Sequence, residues 1–159
     1  MEMYYLLRSG LLLHLVGITL LAGTMVASFA TYRHIWQFAY NDNSRALLLV
    51  KSVRRLRLLQ IIGSILILAG GMMMLAVYKH QITQQTWFKI KMVILILIIL
   101  NPFILARPAA KKLAKALNEN EELPGATIIN GLRRKLNLYH IFQLLLFLII
   151  FILSAYRIN

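Results

Sequence analysis

Cysteine is absent from the 159 residues, which excludes a disulfide framework, a thiolate nucleophile, an iron–sulfur cluster and any Cys-type zinc site. Acidic residues number only 5. None of them (Glu2, Asp42, Glu119, Glu121, Glu122) lies within the apolar runs described below, so paired carboxylates cannot relay protons there. Charged residues of both signs reach 14%, against roughly 25% in soluble domains. With 60% hydrophobic residues and a mean hydropathy of +0.70, too few polar side chains remain to coat a water-soluble fold. Gly-x-Ser-x-Gly, P-loop and His-Glu-x-x-His patterns are missing as well. Their absence leaves no sequence basis for serine-hydrolase, nucleotide-hydrolase or zinc-protease chemistry. No Gly/Ser/Pro-rich linker or internal repeat divides the chain, so a single domain over residues 1–159 is expected.

What is present is four apolar stretches, at about 10–32, 56–78, 87–106 and 138–156. Each meets or approaches the roughly 20 residues a helix needs to cross a bilayer core. Tyr4, Tyr5, Tyr32, Tyr78, Trp87, Tyr139 and Tyr156 flank them as an interfacial aromatic belt would. Backbone groups in hydrocarbon must pair within their own segment, and no strand-like alternation appears. The expected fold is an all-α integral membrane protein, a four-transmembrane-helix bundle. The first run is longer than a signal-peptide core, and only Arg8 precedes it beside Glu2, so a retained helix is expected rather than a cleaved leader.

The formal charge of +13 is unevenly placed. The connection at about 33–55, with its margins, carries Arg33, Arg45, Lys51, Arg54, Arg55 and Arg57; that at about 107–137 carries Arg107, Lys111, Lys112, Lys115, Arg133, Arg134 and Lys135. The opposite side has Arg8, Lys79, Lys89, Lys91 and Arg157. The positive-inside rule then puts both loops in the cytoplasm and both termini on the non-cytoplasmic side. The charge therefore reports topology and attraction to anionic lipid headgroups, and it argues against a nucleic-acid partner. A homo-oligomer is compatible with the pattern. Within the second basic loop, Lys111–Leu117 reads as a short amphipathic helix, Asn118–Glu122 as polar loop, and Pro124–Gly125 as a turn.

Residues three and four apart share a helix face. Stepping along span one gives Gly10, His14, Gly17, Leu21, Thr24, Ser28 and Thr31. Span two gives Arg57, Gln60, Ser64, Ile67, Gly71, Met74 and Tyr78; span three gives Trp87, Lys91, Ile94, Ile98, Asn101 and Leu105; span four gives His140, Gln143, Phe147, Ile150, Ser154 and Arg157. Each helix concentrates its polar groups on one seam, which should face the bundle interior. Gly23 with Ala27, and Gly70–Gly71, are expected at close helix crossings. Asn101–Pro102 is expected to kink span three and free a carbonyl.

Ionisable groups within spans are functional candidates. His14 sits four residues, or about 6 Å, inside the outer boundary, and Lys91 lies at a similar depth on a helix of opposite direction. Gly10 and Gly17 flank His14 on its own face, leaving room for something flat or for a close helix. Lys91 has a second reading, in which it snorkels outward beside Lys89. His140, Gln143, Gln60 and Arg57 form a polar layer near the basic side, whereas His34 and His80 read as loop-margin residues. Met72–Met73–Met74 has copper-like composition, but consecutive helical residues point about 100° apart and cannot converge on one ion.

A histidine early in span one followed by Ala22–Gly23, Arg54-Arg55-Leu56 opening span two, and Trp87 four residues before Lys91 together resemble the HemJ-type protoporphyrinogen oxidases and, more loosely, CopD-type small membrane proteins. The pattern departs from that family at Leu20–Leu21, at Ile62–Gly63 and at Asn101–Pro102. The resemblance implies haem b as cofactor, with His14 as the metal ligand and Lys91 as its functional, catalytic partner. Gly10, Gly17 and Trp87 would complete the cofactor site. It implies removal of hydrogen from a porphyrinogen, with electrons passed to a quinone or respiratory partner, in a bacterial inner membrane. A non-enzymatic bundle, whether a copper-related or other transport component or an accessory subunit, is the alternative, because helix packing can use every polar residue named here.

Overall fold

The computed structural model describes residues 1–78, 83–119 and 126–156. Lys79, His80, Glu121, Glu122, Pro124–Gly125 and Arg157 lie outside the described residues. The described chain forms α1 (Glu2–Phe38), α2 (Asn43–Tyr78), α3 (Thr86–Asn101), α4 (Arg107–Glu119) and α5 (Ala126–Tyr156). A single π-helical turn, Pro102–Ala106, joins α3 to α4 without a break. Four helical segments are long and apolar enough to cross a membrane, with α3 and α4 counting as one. The protein is an all-α, four-helix membrane bundle.

The helices outrun the apolar stretches. The 37 residues of α1 reach about 55 Å at 1.5 Å per residue, well beyond a hydrocarbon core of about 30 Å. The first basic connection therefore shrinks to a turn over 39–42, capped where the Asp42 carboxylate accepts from the Arg45 backbone N–H at 3.0 Å. The second is mostly helix too. Leu113 and Leu117 of α4 pack into a core with Met25, Ile35 and Trp36 of α1, Val50 of α2, and Ile129 and Leu136 of α5. Lys111 and Lys112 stay exposed on the other face of α4. Nearly all of the densely packed core thus lies toward the basic end. In the other half, Ile94 and Ile98 of α3 meet Leu146 of α5 in a separate small cluster.

Toward lipid the pattern inverts. Leu12, Val16, Ile61, Ile65, Val93, Leu97, Leu145 and Phe151 are all exposed, as expected where the surrounding solvent is hydrocarbon. The span-one seam is inside as predicted: Gly10, Gly17, Leu21, Thr24 and Ser28 are buried. In span two Ile67 is buried as expected, but Gly63 and Gly70 take the deepest places instead of Ser64 and Gly71. In span three the stripe Ile94, Ile98, Asn101 continues to buried Ala106, while Leu105 is exposed. The extra residue of the π-turn accounts for this slip, since i→i+5 pairing rotates everything beyond it.

The seam between α1 and α2 is set by glycine. A Cβ on Gly70 would stand 2.5 Å from the Gly10 carbonyl oxygen and 2.6 Å from the His14 nitrogen. One on Gly17 would stand 2.7 Å from the Gly63 carbonyl oxygen. The two contacts are seven residues apart on each helix, or about 10.5 Å along the axis. Backbone thus rests on backbone at two levels, the arrangement small residues permit in membranes. Gly23 takes no part: a Cβ there would meet nothing within 4 Å, and Ala27 is exposed. The close crossing expected at that pair is instead made at Gly10, Gly17, Gly63 and Gly70.

Gly70→Ala is expected to lower bundle stability in detergent by at least about 1 kcal/mol, because overpacking against backbone outweighs any gain in helix propensity. Gly23→Ala should leave it within about 1 kcal/mol of the parent. Denaturant or thermal midpoints of the two variants, measured side by side, check the contrast.

Candidate functional site

His14 lies between the two glycine contacts, and α2 presents Ile67 midway between Gly63 and Gly70. Its Nδ1 is 2.9 Å from the Ile67 carbonyl oxygen. A carbonyl can only accept, so Nδ1 carries the proton and, in the neutral ring, Nε2 holds the free lone pair. The imidazole therefore joins two transmembrane helices through one nitrogen and leaves the other as a potential ligand, the orientation that metal-binding histidines commonly have. The ring is half-buried.

Lys91 is close enough to His14 for its charge to act on the imidazole. It is nevertheless tied elsewhere: Nζ donates to the Ser154 hydroxyl at 2.9 Å, which in turn donates to the Ile150 carbonyl at 2.8 Å. This links α3 to α5. α1 and α3 do not pack along their lengths as neighbours; α1 lies against α2 and α5, and α3 against α5. The structure therefore brings His14 and Lys91 into electrostatic reach from two separate helix pairs. Gly10 and Gly17 are filled by the backbone of α2 and form no open cradle. Trp87 donates its indole N–H to the Gln85 side chain and meets Phe88 edge-on at 6.0 Å. Of the five residues expected at a cofactor site, His14 is tied to α2 and Lys91 to α5, while two glycines and the indole are engaged in packing. The imidazole suits a haem iron; the surrounding glycines supply contact between helices.

The second polar layer is more complete than the sequence implied. Pro102 has no N–H, so the Ile98 carbonyl four residues earlier loses its helical donor. Gln143 Nε2 replaces it at 2.9 Å, and Gln143 Oε1 accepts from Asn101 Nδ2 at 2.6 Å. The freed carbonyl expected at Asn101–Pro102 is thus Ile98's, and α5 satisfies it. His140 is buried among Phe29, Tyr32 and Tyr139, with ring centroids at 5.7, 5.1 and 4.7 Å. Its Nδ1 donates to the Leu136 carbonyl at 2.7 Å, so it is a packed core residue. Gln60 Nε2 donates weakly to Ser28 at 3.4 Å.

These groups border a cavity of about 220 Å3. Tyr32, Tyr139 and Arg107 also line it, although the sequence suggested only belt or topology roles for them. Four-residue steps from Ser28 to Tyr32 and from Phe103 to Arg107 on the same helices were the available signal. His34 is exposed and meets Gln37 at 3.3 Å. Met72 faces outward, and Met73 and Met74 cover Gly10, so the methionines do not converge. No group of three or more His, Cys, Asp or Glu able to hold a metal occurs among the described residues.

Gln143→Leu is expected to cost about 1–3 kcal/mol by stranding the Ile98 carbonyl and the Asn101 amide. In a Pro102→Ala background the helical donor to Ile98 returns, so the same change should cost roughly 0.6 to 1.7 kcal/mol less. A double-mutant cycle on unfolding in micelles measures the difference. Comparison of the chain with protein-family models, with curated proteins and with solved structures finds no match.

Proposed function

We propose that this integral membrane protein is a haem-binding redox protein of a bacterial inner membrane, similar in role to the protoporphyrinogen oxidases that its sequence resembles. The observation that carries the proposal is the tautomer of His14: with Nδ1 committed to the Ile67 carbonyl, Nε2 is left as a nitrogen donor at a constrained position inside the bundle. An imidazole is a common axial ligand, and a bound haem would supply one-electron redox chemistry that side chains lack. His14 would hold the iron from α1. Lys91, within electrostatic reach, would contribute its amine as a second ligand or pair with a propionate carboxylate. Ser154 orients that amine by accepting one of its three N–H bonds. The glycine seam fixes the height of His14. The absence of acids within the spans fits a function whose chemistry resides in a cofactor.

A second reading, a non-enzymatic bundle acting as a transport component or accessory subunit, is favoured by the same seam. Gly10 and Gly17 are spent on backbone contact, and His14 doubles as an interhelical tie.

Absorption spectra of the detergent-purified protein, oxidised and reduced, distinguish the two. The haem reading predicts a Soret band after purification or after titration with hemin, lost in His14→Ala and shifted in Lys91→Met. Protein that stays colourless with excess hemin while eluting as a folded species would contradict the haem reading and leave the second.

A further inference from the structure

The cavity near the basic end has an unusual balance of hydrogen-bonding groups. Tyr32 and Tyr139 are each 4% exposed, and both line it. Among the described residues neither phenol hydroxyl has a hydrogen-bond partner. The two hydroxyls are not among the polar atoms sealed inside the protein without a partner, so both are free to donate to a ligand or ordered water in the cavity. Arg57 and Arg107 line the same space. The Asp42 carboxylate pairs with Arg45, and no described carboxylate pairs with either guanidinium. Arg107 stacks on Phe103, with Cζ 3.6 Å from the ring centroid. The cavity thus gathers two cations and two hydroxyl donors around a space with no acid of its own.

Its other walls are apolar and lead outward. Ile61, Ile65 and Leu68 of α2 line it, as does Phe103 beyond α3, and all four are exposed on the lipid-facing surface. α2 and α3 do not pack along their lengths as neighbours. The space therefore opens sideways between them, toward the bilayer, at the level where span two begins and span three ends. A volume of about 220 Å3 is many times the roughly 10–15 Å3 that one water needs on the same measure, room for a headgroup.

We propose that this cavity is a binding site for an anionic lipid of the leaflet at the basic loops. Its phosphate is held between Arg57 and Arg107 with the Tyr32 and Tyr139 hydroxyls as further donors, and its chains lie along Ile61, Ile65 and Leu68. The site is independent of His14 and of any haem. It differs from diffuse attraction to the basic loops because it is stoichiometric and depends on neutral phenols as well as on charge.

The test uses the full chain in nanodiscs of phosphatidylcholine doped with phosphatidylglycerol, then released for native mass spectrometry. One phosphatidylglycerol per chain should persist in preference to phosphatidylcholine. Retention should fall about tenfold or more in Arg57→Gln/Arg107→Gln, as expected when charge-assisted bonds are removed. It should fall severalfold in the isosteric Tyr32→Phe/Tyr139→Phe pair and hold in the Arg54→Gln/Arg55→Gln control, whose arginines are exposed and outside the cavity. The tyrosine pair keeps the test decisive if the arginine pair does not fold. Equal losses from cavity and control arginines, or no loss from the tyrosine pair, would overturn the proposal. So would inorganic phosphate that protects the site with the same residue dependence while no lipid is retained.

Discussion

The backbone contact between α1 and α2 is the constraint on which the rest of the structure depends. In hydrocarbon no water is released when apolar helices meet, so association relies on close packing and on polar groups that must find partners. Gly10 on Gly70 and Gly17 on Gly63 bring two backbones together at two heights, and the His14–Ile67 hydrogen bond closes the interval between them. Once α1 and α2 are a fixed pair, the remaining helices pack around them rather than between them. α5 lies against α1 and α3 against α5. The side of α2 that faces α3 is left without a close neighbour, and the cavity occupies that gap. One run of glycines thus accounts for both the position of His14 and the opening at the other end of the bundle.

The polar interior follows from a second local event. Pro102 removes one backbone donor and induces a π-turn, and the released Ile98 carbonyl is taken by Gln143, itself fixed by Asn101. A polar side chain deep in a membrane helix is costly unless satisfied, and here its partner exists only because a proline stands four residues on. Gln143 and Asn101 are accordingly consumed by structure. The rings of Tyr32 and Tyr139 pack against His140 and Arg107 stacks on Phe103, but the two hydroxyls and the guanidiniums of Arg57 and Arg107 are held by no such bond, and that difference separates packing residues from ligand-binding candidates more clearly than polarity alone.

Much of this was legible in the residues themselves. Apolar run lengths show four helices, and three-four stepping along span one picks out the face that is buried from Gly10 to Ser28. The register errors have physical causes. A regular α-helix would bury Leu105, and the π-turn moves that place to Ala106. Gly23 was expected at a crossing, but which glycine meets a partner depends on the opposing helix, and a single sequence carries no such pairing. Charge marks the two basic connections as loops, whereas their alternate face of Ala, Val, Leu and Ile continues the helices into a packed extension. Residue counting along the spans carries no sign of the commitment of Lys91 to Ser154. The unpartnered phenols were hidden because tyrosines at span ends ordinarily serve as interfacial anchors.

The claim that His14 ties α1 to α2 through Nδ1 and keeps Nε2 open underlies both the architecture and the functional proposal. Solid-state NMR of the bilayer-reconstituted protein, with labelled histidine nitrogens and isoleucine carbonyl carbons, tests it directly. The expected result is a protonated Nδ1, a bare or metal-bound Nε2, and a through-space correlation from Nδ1 to the Ile67 carbonyl. A proton on Nε2 of the neutral ring, or no contact between the imidazole and Ile67, would contradict the account.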